Sequence, residues 1–335
     1  MNPIFVLPTY ARSSCLPVAL GFALLAALCD ASRAQPTSHA QEAPHSARTV
    51  AITLDDVPAT RNRTLAEMQQ ITTGLLTHLN AFDISAIGFV NEAKLGDPVE
   101  PERIALLEQW LDAGQALGNH TYSHPKFYDT PLETYQADVL RGEIVTKQLL
   151  AERGQQLRYF RHPYLSTGPD LATKTAFEQF LASHGYMVAP VTIDNDEYIY
   201  ALAYENAVAD QEEDLAARLG DDYVRYMAEM FSYFEHYATA MLGREPPQVL
   251  LLHANTLNAD YLGDLAQMIQ GRGYQFVSLE VALRDPVYTL TDGYIGERGP
   301  SWLQRWAITQ GNEPMDVDAE PPQVPRWVRT AAFNR

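Results

Sequence analysis

The feature that most narrows the fold is a rhythm that sets in at Thr49, where short runs of β-favouring residues begin to alternate with stretches whose apolar residues recur at helical spacing. Strands are expected at 50–54, 84–90, 115–118, 159–161, 186–191, 249–252 and 275–277. Helices are expected at 65–79, 101–112, 132–152, 170–184 and 258–270. Such alternation implies parallel strands joined by crossover helices, because parallel neighbours cannot be linked by a tight hairpin. Seven strands of this kind predict an α/β barrel or near-barrel, with its working groups at the C-terminal ends of the strands. With 335 residues, 46% of them hydrophobic, the chain can bury the core of one such domain with elaborations.

Three regions depart from the rhythm. Arg12 precedes an uncharged run at 16–28, and Ser32-Arg33-Ala34 has the small-x-small form of a cleavage site, so 1–34 reads as an export signal and 35–48 as a polar, flexible leader. The run of 13 residues falls short of the roughly 20 that a membrane-spanning helix needs, so a removed signal is expected rather than an anchor. Periplasmic or secreted localisation follows. An acidic helical insertion occupies 198–244, where Tyr223, Tyr226, Met227, Met230, Phe231, Phe234 and Tyr237 recur at three- and four-residue intervals. Such spacing marks either a packed face or a tyrosine platform for sugar rings. The third region, 285–335, is a C-terminal extension with Trp302, Trp306 and a proline-rich end.

Both cysteines, Cys15 and Cys29, lie in the expected signal, so neither disulfide nor thiol chemistry is available to the remainder. The formal charge is −18, and it becomes −19 (22 basic, 41 acidic) when Arg12, Arg33 and Asp30 leave with the signal. A surface of that sign repels nucleic acid and favours a neutral substrate. Nothing in the sequence indicates an oligomeric state.

Four short stretches carry the chemistry. In AITLDDVP an apolar strand ends in adjacent carboxylates, Asp55 and Asp56, which cannot both be desolvated without a cation or an arginine to neutralise one. HTYSH supplies His120 and His124, four residues apart; on a helical turn both imidazoles would share one face and suit one metal ion. With Asp56 they make a two-histidine, one-carboxylate set that leaves a position open for water, the usual layout of a hydrolytic zinc site. Cobalt or manganese would also suit such donors. Asp55, beside the ligand, is placed to act as base, with a pKa expected to be low next to a cation. Arg161, in RHPY, can hold that carboxylate through two parallel hydrogen bonds, and the rigid turn after it can present the Tyr164 amide to an oxyanion. His253 closes the run VLLLH, where it is the natural general acid for a leaving group.

The ordered set TLDD, HTYSH, RHPY and LLLH resembles the metal-dependent polysaccharide deacetylases, carbohydrate esterase family four, which include chitin, peptidoglycan and acetylxylan deacetylases. The resemblance spans 49–283. It implies a distorted (β/α)7 barrel over 49–284, one divalent metal on Asp56, His120 and His124, and an acetylated glycan as substrate. It further implies Asp55 as base oriented by Arg161, Tyr164 as oxyanion donor, Leu251 in the acetyl pocket and His253 as acid. Two departures stand out. Val57-Pro58 replaces the family's glycine after the two aspartates, and Ala254-Asn255 replaces the aspartate that commonly follows the final histidine. The family's Asp-Trp motif falls on IDNDEY: Glu197-Tyr198 aligns with it without a gap, which makes Tyr198 a candidate substrate contact, while Asp194 or Asp196 keeps the residue type. The carboxylate that supports His253 is thus left open among three.

Overall fold

The structure is a computed structural model that describes residues 48–61, 63–311 and 320–334. The expected signal at 1–34 and the leader up to 47 lie outside the described residues. From β1 (Arg48–Val57) the chain runs through α1 (Leu65–Ala81), β2 (Ile87–Val90), α2 (Pro101–Asp112) and β3 (Ala116–Asn119). It continues through α3 (Leu132–Arg141), α4 (Ile144–Glu152), β4 (Tyr159–Phe160), α5 (Leu171–Ser183) and β5 (Met187–Val188). Then come α6 (Glu197–Ala209), α7 (Glu213–Leu242), β6 (Gln248–His253), α8 (Thr256–Gly271) and β7 (Tyr274–Phe276).

All seven strands are parallel, in the order β5-β4-β3-β2-β1-β6, with β7 pairing the start of β1. The sheet is curled. After β5 the chain passes from one of its edges to the other: Ala189 N–H donates to Phe160 at 2.8 Å, whereas the Thr192 and Ile193 amides both donate to the Val249 carbonyl at 3.0 Å. Ile193 thereby bridges Leu250 of β6 in parallel. This is the expected distorted barrel. Helices cover its outer face, so β1 is buried continuously from Val50 to Asp55, as a parallel strand between two layers should be.

Several boundaries differ from those expected, each for a local reason. β1 continues to Val57 instead of giving way to a loop before Asp55, because Asp55 still pairs with His253 and the irregularity falls between Leu54 and Val57. β2 starts three residues late. The Ile84 amide instead bonds the end of α1 at Leu79, and the Ala86 amide bonds the Gln115 side chain. The single helix expected over 132–152 is two, α3 and α4, broken at Gly142, where a Cβ would stand 2.4 Å from the Thr121 carbonyl carbon. That close approach requires glycine.

In the insertion, all seven residues of the aromatic and methionine stripe are buried, so the stripe is the packed face of α7 and not a sugar platform. A short helix, α9 (Leu279–Ala282), follows β7, and the C-terminal extension adds α10 (Trp302–Gln310) and α11 (Arg326–Phe333). It packs on the insertion: α10 contacts α7, α11 contacts α6, and the Asn206 side chain donates to the Ala331 and Ala332 carbonyls. Among the described residues no helix is long and apolar enough to cross a membrane.

Candidate active site

At the C-terminal ends of the strands lies a cavity of about 540 Å³. Every site residue expected from the sequence lines it except Arg161, which is buried behind. Asp55 and His253 share one register of the β1–β6 ladder, which fixes their separation across adjacent strands. Asp56 leaves the ladder with φ 68°, a left-handed conformation that an aspartate tolerates and that swings its side chain away from that of its neighbour.

The turn carrying the two histidines is not helical. Thr121 and His124 have φ of 66° and 60°, and the loop is held by its own side chains: Asn119 Oδ1 accepts from the Thr121 amide at 2.7 Å, and Thr121 Oγ1 from the His124 amide at 3.0 Å. The imidazoles nevertheless meet, with centroids 4.8 Å apart. Asp56, His120 and His124 each offer a ligand atom within 4.8 Å of the others. His120 Nδ1 is bonded to the Arg161 carbonyl at 2.8 Å, which leaves its Nε2 for a metal.

The protonation states also suit a cation. Burial pushes His120 well below its ordinary value and lowers His124, so both are neutral donors. Burial opposes ionisation of Asp56, but the Lys94 ammonium and the charged His253 imidazole outweigh it and hold the carboxyl well below the usual range. Two neutral imidazoles and one ionised carboxylate are a donor set that zinc and similar ions take. Lys94 Nζ is 3.0 Å from Asp56 Oδ1, a contact that no motif signalled.

Asp55 departs from expectation in both its partner geometry and its acidity. Arg161 does not offer a parallel fork. Its Nη1 approaches both Asp55 oxygens, at 3.2 and 3.4 Å, while Nη2 donates to Thr53 Oγ1 at 3.0 Å and Nε to the Ala189 carbonyl at 2.9 Å. Burial pushes Asp55 up to about 6, against Arg161 and His253, with the like charge of Asp56 adding to the rise. The low value expected from the sequence presupposed a cation alongside, which would act in the same direction as Arg161.

Of the three carboxylates left open beside His253, Glu197 makes the contact: its Oε2 is 2.8 Å from His253 Nδ1. It is wholly buried, and its other oxygen accepts from the side chains of Asn255 and Asn258 at 2.5 Å each. Asp194 instead accepts from the Asn195 amide, and Asp196 faces Arg329 at 3.7 Å. Burial lowers the His253 pKa, but Glu197, Asp56 and Asp55 more than offset it and raise it to about 9. Asn255, in the Ala254-Asn255 pair that replaces the family's aspartate, thus contributes by fixing Glu197. Tyr164 and Tyr198 are each 43% exposed and face the cavity, and Leu251 lines its floor. Arg298 and Gly299, from the C-terminal extension, form part of the wall.

A sequence model of the polysaccharide deacetylase family matches residues 42–189. That span contains Asp55, Asp56, His120, His124, Arg161 and Tyr164, and ends before Glu197, Leu251 and His253. Among solved structures, a family 4 carbohydrate esterase from Streptomyces lividans, in complex with acetate, is 21% identical over 71% of this chain and 97% of that chain, with a TM-score of 0.44. Peptidoglycan deacetylase PdaC from Bacillus subtilis is 17% identical over 71% and 92%, with a TM-score of 0.43. A family 4 pseudoenzyme from Bacillus anthracis is 14% identical over 71% and 66%, with a TM-score of 0.44. No curated protein matches the chain.

Proposed function

We propose, on the premise that residues 42–189 belong to the polysaccharide deacetylase family, that this chain is an exported hydrolase removing acetyl groups from a polysaccharide or oligosaccharide, N-acetylhexosamine units foremost. One observation carries the reading: an Asp-His-His cluster, a carboxylate held by a buried arginine and an imidazole held by a buried glutamate converge on one cavity.

Asp56, His120 and His124 would hold a divalent cation, zinc first, which supplies an acidified water and an electrophile for the acetyl carbonyl. Asp55 takes the proton of the attacking water at its carboxylate, with Arg161, itself bonded to Thr53, fixing the plane of approach. Tyr164 donates its backbone N–H to the oxygen that gains charge as the carbonyl becomes tetrahedral. His253, charged at neutral pH and kept in one orientation by Glu197, gives its proton to the departing amine and collapses the intermediate to acetate. Leu251 and Tyr198 offer apolar surface to the acetyl methyl and the sugar ring respectively.

The test is acetate release by the metal-reconstituted protein from chitooligosaccharides, peptidoglycan fragments and acetylated xylan, each with and without a chelator. Chelator-sensitive release from an N-acetylated glycan is expected. Release from acetylated xylan alone would make the protein an O-acetyl esterase, and bound metal without release from any of the three would overturn the hydrolytic reading.

A further inference from the structure

The oxyanion turn is held from outside by a segment far beyond the residues that match the family. Tyr164 and Leu165 are consecutive non-glycine residues with φ of 56° and 50°, a conformation that L side chains avoid unless their surroundings impose it. Within the turn the Leu165 and Ser166 amides bond the His162 and Pro163 carbonyls at 3.0 Å, which leaves the carbonyls of Tyr164 and Leu165 facing away. Both are taken up by the C-terminal extension: Gly299 N–H donates to Tyr164 O at 3.3 Å, and Arg305 Nη2 donates to Leu165 O.

Arg305 is fully buried and committed on every side. Its Nε donates to the Pro300 carbonyl at 2.8 Å, its Nη1 to Asp292 at 3.4 Å, and its guanidinium lies 3.8 Å from the Trp302 ring centroid. Asp292 is anchored to the barrel in turn by Lys174 at 2.7 Å. Glycine is required at 299. A Cβ there would stand 1.4 Å from Arg305 Nη2 and 2.3 Å from the Leu165 carbonyl oxygen, so any side chain must displace the guanidinium or the turn. The next residues grip the segment that leads toward Glu197: Ser301 Oγ donates to Thr192 O, and the Trp302 amide to Val191 O, both at 2.7 Å.

We infer that Gly299 and Arg305 are positioning residues for the reaction, acting through the Tyr164 turn, and that the site is completed only by the segment 292–305. The catalytic consequence rests on the deacetylase reading above; the clamp itself rests on geometry alone.

The test compares full-length, metal-loaded Arg305→Met, Arg305→Lys and Gly299→Ala with the parent chain. It measures kcat and KM for acetate release, zinc affinity of the apo-protein, melting temperature, and amide hydrogen exchange at 164–166. Misplacing an oxyanion donor by a fraction of an ångström should lower kcat by about tenfold or more, with KM and zinc affinity within about threefold. Exchange at 164–166 should quicken in the same variants, and Arg305→Lys, which keeps one donor, should recover part of kcat. Unchanged kcat, or kcat, zinc affinity and melting temperature falling together, would overturn the inference. If Arg305→Met does not fold, Gly299→Ala and Arg305→Lys decide by the same criteria. Should the parent chain release no acetate, the deacetylase reading fails, while the exchange rates still decide whether the clamp exists.

Discussion

Two neighbouring aspartates meet opposite electrostatic fates because one stays in the ladder and the other leaves it. Asp55 remains buried beside Arg161, with its acidity weakened, and Asp56 turns toward Lys94 and the imidazoles, with its acidity strengthened. Asp55→Asn should therefore cost about 10²- to 10⁴-fold in kcat while zinc affinity, measured by titration of the apo-protein, stays unchanged. Asp55 must be ionised to serve as base, so activity is lost as pH falls through about 6 in the absence of other charge. His253 must be protonated to serve as acid, so activity is lost as pH rises through about 9. A kcat/KM profile should show these two limbs, with the acid limb moved lower by bound metal. Glu197→Gln should pull the basic limb down, and Asp196→Asn should leave it in place. The first four motifs were legible because each pairs an unusual residue with a strand end. The role of Glu197 was not: Asp194, Asp196 and Glu197 offer the same chemistry within four positions, and only the start of α6 decides which one turns inward. Lys94 had no motif to betray it.

Element boundaries followed tertiary hydrogen bonds more closely than they followed residue preference. The alternation of strands and helices was visible in the sequence, since the central strands β1, β2 and β6 are buried on both faces and read as near-continuous apolar runs. The break between α3 and α4 was not, because helical propensity continues across it and only the approach of the His120–His124 turn demands it. Gly142 lets that turn lie against the helix pair, and the Tyr122 amide bonds Asp138 O at 3.1 Å from the same side. Gly142→Ala should thus push on a metal-binding turn from beneath, costing about 1–3 kcal/mol of stability by overpacking. Zinc affinity should fall by about tenfold in parallel, as for other supports of ligand geometry. Thermal denaturation and zinc titration of the one variant measure both effects; a loss of stability with undisturbed affinity would show that the turn does not depend on this contact.

At the scale of the molecule, the charge of −18 bears on which polymers can approach. For an anionic glycan kcat/KM should rise as salt screens the repulsion, whereas for a neutral chitooligosaccharide it should hardly change between low and physiological ionic strength. Kinetics at two salt concentrations on the two substrates separate these cases. The C-terminal extension was readable in the sequence as an addition, but its entry into the cavity wall was not, since the wall residues it bonds, Tyr164 and Leu165, lie more than a hundred positions away. A related consequence follows from β1, the strand that carries both aspartates. One of its edges is filled by β2 within about forty residues, but its partners β6 and β7 lie about two hundred residues or more downstream. During synthesis and refolding the apolar ribbon 50–54 must wait for them with an unpaired edge, so the protein should fold slowly and aggregate readily until its last strands arrive.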